Sequence, residues 1–296
     1  MTSSALHIYP GYSRPGRALA EALGCPAFDI DIHSFPDGES LVKTNSSAEI
    51  ALIYVSLDHP NDKLINICFA AQALRDGGAQ RVVLVCPYLC YMRQDKAFHV
   101  GEAISQKIIG KLLADYFDRI VTFDPHLHRV SSLGEVFSGV EADALSAASL
   151  IAEEINGTSE LNNALLVGPD SESAQWVGAI AALTDSDMQV ATKERLSDRE
   201  VTINLPAASA VSGRAVVIID DMISSGMTIS RCAEILVKAG ASRVEAIVVH
   251  ALSNDEDLAN MKASGVQQVR SCDSVLHSTN TIHLTPVLVE ALKKEI

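Results

Sequence analysis

Positive charge is scarce in this chain. Its 296 residues hold 23 lysines and arginines against 37 aspartates and glutamates, a formal net charge of −14. A polyanion is usually held by a basic patch or stripe, so this balance argues against a nucleic-acid or anionic-membrane surface. It leaves room for small phosphorylated ligands, whose charge a few arginines, amides and Mg²⁺ can meet locally. No apolar run approaches the roughly 18 residues that span a bilayer, so no membrane is expected. The stretch "MTSSALHIYPGYSRPGR" lacks the basic start, apolar middle and small-residue cleavage site of a secretory leader. Six cysteines (Cys25, Cys68, Cys86, Cys90, Cys232 and Cys272) are scattered without a C-x-x-C pair. That predicts reduced, mostly buried thiols and a cytoplasmic location. Neither G-x-x-x-x-G-K-[ST] nor G-x-G-x-x-G occurs, which argues against P-loop and Rossmann enzymes.

What is present is an alternation of short β-branched runs with helical stretches. "ALIYVSL" reads as a buried strand and "NDKLINICFAAQALRDGGA" as a helix with a Gly-Gly stop. "RVVLVCPYL" is the next strand, then "GEAISQKIIGKLLADYF" an amphipathic helix with Glu102 in its first turn, and "RIVTFDPHLH" another strand. "NALLVGPD", "SAQWVGAIAALT", "RAVVIIDD", "TISRCAEILVKAG" and "RVEAIVVHAL" continue the pattern. Such alternation predicts α/β architecture with mostly parallel sheets flanked by helices. The length suits two domains, with a boundary in "SGVEADALS": residues 1–141 and 142–284. A C-terminal helix, 285–296, can pack back on either, the first being favoured.

The stretch "VVIIDDMISSGMTIS" (216–230) is the most suggestive. A buried strand ends on Asp220 and Asp221, and a turn of small hydroxyl residues leads into a helix. Ser224, Ser225, Gly226, Met227 and Thr228 can present hydroxyls and backbone N–H groups to one phosphate, aided by the helix dipole. The two carboxylates would repel that phosphate but can accept hydrogen bonds from vicinal sugar hydroxyls, with Mg²⁺ nearby. The plainer reading is a turn at Asp221 and a helix cap at Ser225 or Thr228.

This string resembles the ribose-phosphate loop of the type I phosphoribosyltransferase fold, which ribose-phosphate diphosphokinases (phosphoribosyl diphosphate, or PRPP, synthases) share. Five further stretches resemble the synthases, in family order. "FPDGES" implies that Phe35, Asp37, Gly38 and Glu39 help form an ATP site, although by itself it is an ordinary turn. "CPYLCYMRQDKAF" is similar to the family segment in which Arg and Gln meet ATP, here Arg93 and Gln94, followed by Asp95. "FDPHLH" and "VGPDSESAQWV" match the strand ends that associate with Mg²⁺, implying His126 and Asp170; His128 has no counterpart. Glu172, where the family has a glycine-rich stretch, adds a carboxylate. "ATKERLSDREVTINLP" reads as two short strands joined by a charged loop and resembles the catalytic flap, implying Lys193 and Arg195 as the charges that close on the reacting phosphates.

The resemblance implies two tandem phosphoribosyltransferase-like domains that transfer the diphosphoryl group of Mg·ATP to the C1 hydroxyl of ribose 5-phosphate, in a homo-oligomer. Two alternatives stand beside it: a synthase-like regulatory subunit without activity, and a transferase that consumes PRPP. Met227 departs from the family loop, where a glycine is common. "VKTNSSAEIA" and "KAFHVGEAIS" lack the arginines of the family's phosphate and ADP site, so that regulation is expected to be absent.

Overall fold

The computed structural model describes residues 3–45, 48–127, 129–195, 201–204 and 208–296, with side chains outside 193–195, 201–204 and 208. Two compact units divide the chain, Met1–Leu145 with Leu284–Ile296, and Ser146–His283. The first contains β1 (Ser4–Ile8), α1 (Ser13–Leu23), β2 (Ala27–Asp29), β3 (Asp31–Ser34), β4 (Ser40–Lys43), β5 (Ile50–Tyr54), α2 (Asn61–Asp76), β6 (Arg81–Val85), α3 (Ser105–Ala114), β7 (Arg119–Phe123), α4 (Leu133–Val136) and β8 (Glu141–Leu145). The second runs through α5 (Ala148–Gly157), β9 (Leu165–Gly168), α6 (Ala174–Thr184), β10 (Met188–Val190), β11 (Thr192–Arg195), β12 (Val201–Asn204), β13 (Ala215–Ile223), α7 (Met227–Lys238), β14 (Arg243–Ala251), α8 (Asp255–Ala263), β15 (Gln268–Cys272) and β16 (Asn280–Ile282). The last helix, α9 (Thr285–Leu292), belongs to the first unit and packs on α1.

The units repeat one topology. Among the described residues, the first has a parallel sheet in the order β2-β1-β5-β6-β7-β8 and the second one in the order β10-β9-β13-β14-β15-β16. In each, the chain steps outward once and then reverses, so a switch point lies between β1 and β5 and between β9 and β13. Ligands of open α/β sheets bind beyond the strand ends at such points. Each unit also inserts an antiparallel ribbon before the reversal, β3–β4 in one and β11–β12 in the other. The apolar runs become central strands because helices cover both faces: Leu52, Ile53, Val83, Leu84, Ile120 and Val121 are fully buried, as are Leu166, Val167, Val216, Val217, Ile218 and Ile219. Close approach matters at Gly110 on α3, where a Cβ would lie 2.6 Å from the carbonyl oxygen of Val136 on α4.

Glu102 is not in a helix first turn. α3 starts at Ser105, and the Glu102 carboxylate instead folds the preceding loop by accepting hydrogen bonds from the Phe98 and His99 amides at 2.7 and 3.1 Å.

His7 on β1 has a measurable consequence. Its ring is fully buried, stacked on Phe28 at 5.7 Å, and neither nitrogen has a hydrogen-bond partner. Burial pushes its pKa down to about 4. Folding therefore requires the neutral ring, whereas the unfolded chain takes up a proton below about pH 6.5. Stability is full above that value and falls as pH drops toward 4, by about 3 kcal/mol at roughly 1.4 kcal/mol per pKa unit. His7→Leu should lose less stability than the parent between pH 7 and pH 4.5. Denaturation curves that fall in parallel would refute this.

Candidate functional site

In the second unit β13 is apolar and buried from Val216 to Ile219, which puts it at the centre of the sheet. It does not end at Asp220 and Asp221, as the sequence predicts, but continues to Ile223, with Met222 paired to His250 and Ile223 to Ala251. On the other side β9 pairs only with Val216, Val217 and Ile218. The cause is length: β9 has 4 residues, whereas β13 and β14 have 9 each. The aspartates thus stand on a ledge past the end of β9. There the Asp220 carboxylate accepts a hydrogen bond from the Asp221 amide at 3.0 Å.

Beyond the ledge Ser224 and Ser225 turn the chain, and Gly226 at φ +68° precedes α7. This backbone region favours glycine, and an added Cβ would also meet the Met261 Sδ at 2.7 Å. Among the described residues no side chain caps α7, which leaves its first-turn N–H groups to a ligand. Asp220, Met222, Ile223, Ser224, Ser225, Gly226, Met227, Thr228 and Ile229 line a cavity of about 130 Å³. Six of the seven residues expected at a ribose-phosphate site are among them. Asp221 is not: strand alternation turns it to the opposite face, where it is 3% exposed.

Charge in this region is unbalanced. Desolvation first, then the charges of Asp221 and Asp170, hold the Asp220 carboxyl well above the usual range. Cys232, buried on α7 behind the loop, has its thiol pushed up to about 12 by burial and then by the charges of Asp220 and Asp170. Asp170 itself caps a short turn (Ser171–Ser173), its Oδ1 accepting from the Glu172 and Ser173 amides at 3.0 and 3.3 Å. β12 approaches α7, which brings the β11–β12 ribbon toward the loop. Lys193 and Arg195 occupy β11 opposite Ile203 and Val201. Their side chains lie outside the described residues, as does His128.

In the first unit Phe35, Asp37, Gly38 and Glu39 form the tip of the β3–β4 ribbon. The Phe35 amide donates to the Glu39 carbonyl at 2.8 Å, and the Glu39 amide to the Asp37 carboxylate at 3.2 Å. Gly38 has φ +91°. The Phe35 ring, 40% exposed, packs edge-on against His33 at 4.9 Å. Arg93 is exposed, and Gln94 accepts a hydrogen bond from the Ser105 hydroxyl at the start of α3. Asp95 is committed to an ion pair with Arg129 at 2.7 Å. His126 is half-buried in the loop beyond β7. Sequence reasoning overlooked a cluster of Tyr12, Asp58 and Lys63, largely shielded from solvent. Its members are up to 51 residues apart, and only the pairing of β1 with β5 brings them together.

Comparison with known proteins covers nearly the whole chain. A model of the N-terminal domain of ribose phosphate pyrophosphokinase matches residues 12–116, and a phosphoribosyl transferase domain model matches residues 142–283. A ribose-phosphate pyrophosphokinase of Methanopyrus kandleri is 30% identical over 94% of this chain and 94% of its own. One from Methanothermobacter thermautotrophicus is 31% identical over 93% and 95%. The phosphoribosylpyrophosphate synthetase structure from Mycobacterium smegmatis superimposes with a TM-score of 0.83, covering 99% of this chain and 98% of that one, at 21% identity.

Proposed function

The chain belongs to the ribose-phosphate pyrophosphokinase family, and we propose that it moves the diphosphoryl group of Mg·ATP to the C1 hydroxyl of ribose 5-phosphate. The products are PRPP and AMP, and the hydroxyl proton is released. The observation that carries this reading is the cavity at the end of β13, lined by hydroxyl residues, the loop backbone and the Asp220 carboxyl, a lining chemically suited to one small anionic sugar. In this scheme the 224–228 loop grips the 5-phosphate and Asp220, supported by Asp221, takes the ribose hydroxyls. Phe35, Asp37, Gly38, Glu39, Arg93, Gln94 and Asp95 form the ATP site, and Lys193 with Arg195 meets the charge that builds on the transferred group. No general base is needed, because positioning and electrostatics carry most of such transfers.

The carboxylates also fit a hard divalent cation. Desolvation first, then the negative charge of Asp221 and Asp170, raises the Asp220 pKa, and a cation would offset that excess of negative charge. Mg²⁺ commonly keeps several waters and is held largely by substrate phosphates, so it needs few protein ligands. The resemblance implies His126 in the first unit and Asp170 in the second as residues that would associate with such ions, which would screen phosphate charge.

A homo-oligomer and a cytoplasmic location complete the proposal. Supporting the first, Leu41 on β4 and Ile65 and Phe69 on the adjoining α2 are 50%, 53% and 44% exposed, an apolar surface suited to a second copy. Supporting the second, all six thiols are free.

The test is ³¹P NMR of the purified protein with Mg·ATP and ribose 5-phosphate. Appearance of AMP with a sugar 1-diphosphate supports the reading; binding without turnover would favour a regulatory subunit. Asp220→Asn should separate stability from function. A carboxyl with a raised pKa stabilises the fold at low pH and loses that contribution as pH climbs through the unfolded value of about 4 and beyond. The amide should therefore melt higher than the parent at pH 7, while the KM for ribose 5-phosphate rises about tenfold or more through loss of an acceptor oxygen facing the sugar hydroxyls. A lower melting temperature would contradict the electrostatics described above.

A further inference from the structure

We infer that Lys63, in the first turn of α2, is a positioning residue for nucleotide binding: its ammonium fills the first unit's switch point and fixes the loop against which segment 86–95 rests. The inference rests on the reading that Arg93 and Gln94 hold ATP.

The two units differ at equivalent places. Past β9 and β13 the switch point opens into the ligand cavity. Past β1 and β5 the same position is filled from within. Lys63 Nζ donates to the Tyr12 hydroxyl at 2.7 Å, the Asp58 carboxylate at 2.8 Å and the Ser56 carbonyl at 2.9 Å, which uses all three of its protons. It also lies 5.1 Å from the centre of the Tyr12 ring. The side chains of Lys63 and Asp58 are only 12% and 17% exposed. Tyr12, 6% exposed, donates to Asp58 at 2.5 Å. Burial and the neighbouring Asp58 raise its pKa far above that of an ordinary tyrosine, so it remains a donor.

The loop held in this way is the seat of the nucleotide segment. Ser56 offers its carbonyl to Lys63 and its hydroxyl oxygen to the Tyr88 amide at 3.3 Å. The Leu57 amide donates to the Tyr88 carbonyl at 2.9 Å, and the Tyr91 hydroxyl to the side chain of Asn61. Arg93 follows two residues later. The arrangement stores strain on both sides of the contact, since His59 has φ +45° and Tyr91 φ +60°, conformations a non-glycine residue keeps only when its surroundings hold it there. Without the ammonium, Ser56 loses a charged donor and Asp58 is left as a poorly solvated carboxylate.

The test measures binding of Mg·ATP alone and of ribose 5-phosphate alone by equilibrium dialysis. Four proteins are compared: the parent, Lys63→Met, the double variant Asp58→Asn with Lys63→Met, and Arg93→Ala. We expect Lys63→Met to bind ATP about tenfold more weakly, with ribose 5-phosphate changed by less than about twofold. The double variant carries no unpaired charge at the switch point. It should recover the melting temperature lost by the single variant yet keep the ATP defect, which a purely structural role would not produce. Should Lys63→Met fail to fold, the double variant alone decides. If Arg93→Ala weakens ATP binding and the double variant binds like the parent, the inference about Lys63 is overturned. If Arg93→Ala itself binds ATP like the parent, the reading beneath it fails instead.

Discussion

Lys193→Ala is expected to lower the rate of AMP formation by about a thousandfold in single turnover. The diphosphoryl group carries several negative charges, and its transfer spreads them over oxygens that water no longer solvates. One preorganised donor at such a point contributes roughly 10²–10³ in rate, and a cationic finger on a transferred phosphoryl group 10³–10⁵. Lys193 stands on β11, in a ribbon outside the six-stranded sheet, and the paired β12 approaches α7, whose first turn lines the cavity. Removing it should therefore cost little stability. The variant should melt within a degree or two of the parent and bind each substrate alone with less than about a threefold change. A rate loss below tenfold would remove Lys193 from the reaction.

Glu295→Ala should destabilise the first unit by about 3–5 kcal/mol, the cost of stripping one partner from a buried ion pair. Glu295 is 2% exposed and Arg119 3%. The carboxylate receives Arg119 Nη1 at 3.0 Å and Arg81 Nε at 2.8 Å, while Arg119 Nη2 reaches the Ala291 carbonyl at 3.0 Å. The Ser4 hydroxyl adds a bond to the Glu295 carbonyl at 2.5 Å. The Glu295 carboxylate thus ties the starts of β6 and β7 to the segment after α9, while its backbone carbonyl, which Glu295→Ala retains, holds the start of β1. Its loss leaves Arg119 with Asp143 and a distant Glu141 as the remaining acids. Arg81, whose pKa the hydrogen bond to Glu295 raises, loses that partner too. Urea denaturation is the measurement, taken on the first transition if the units unfold separately. A loss under 1 kcal/mol would mean that the chain relaxes enough to hydrate both arginines.

Continuous apolar runs bounded by turn residues made the central strands readable, because parallel strands covered on both faces need nothing else. "FPDGES" was readable as a turn for the same local reason: Pro, Asp and Gly each favour one. What escaped the sequence depends on partners elsewhere in the chain. β13 runs through its acidic pair because β14 continues beside it, and no pattern within 216–223 reports the length of a neighbour. Glu102 has the spacing of a helix first-turn acid, yet amides before it compete for the carboxylate. Asp170 illustrates a different limit, since capping a turn and meeting a cation both call for an acid after a strand. The Tyr12, Asp58 and Lys63 cluster lacks a motif altogether; it follows from topology.

The projecting end of β13 bears on solubility as well as on ligand binding. Beyond Ile218 that strand pairs with β14 on one side and with no strand on the other among the described residues. An unpaired strand edge invites pairing with another chain, and inward-pointing charge is a known protection against it. Asp220 opposes such pairing, since its carboxylate oxygen already takes up the Asp221 amide that an incoming strand would need. The acid proposed to hold the sugar thus also guards the sheet against edge-to-edge aggregation, which gives the chain a reason to keep a carboxylate there even while the cavity is empty of substrate.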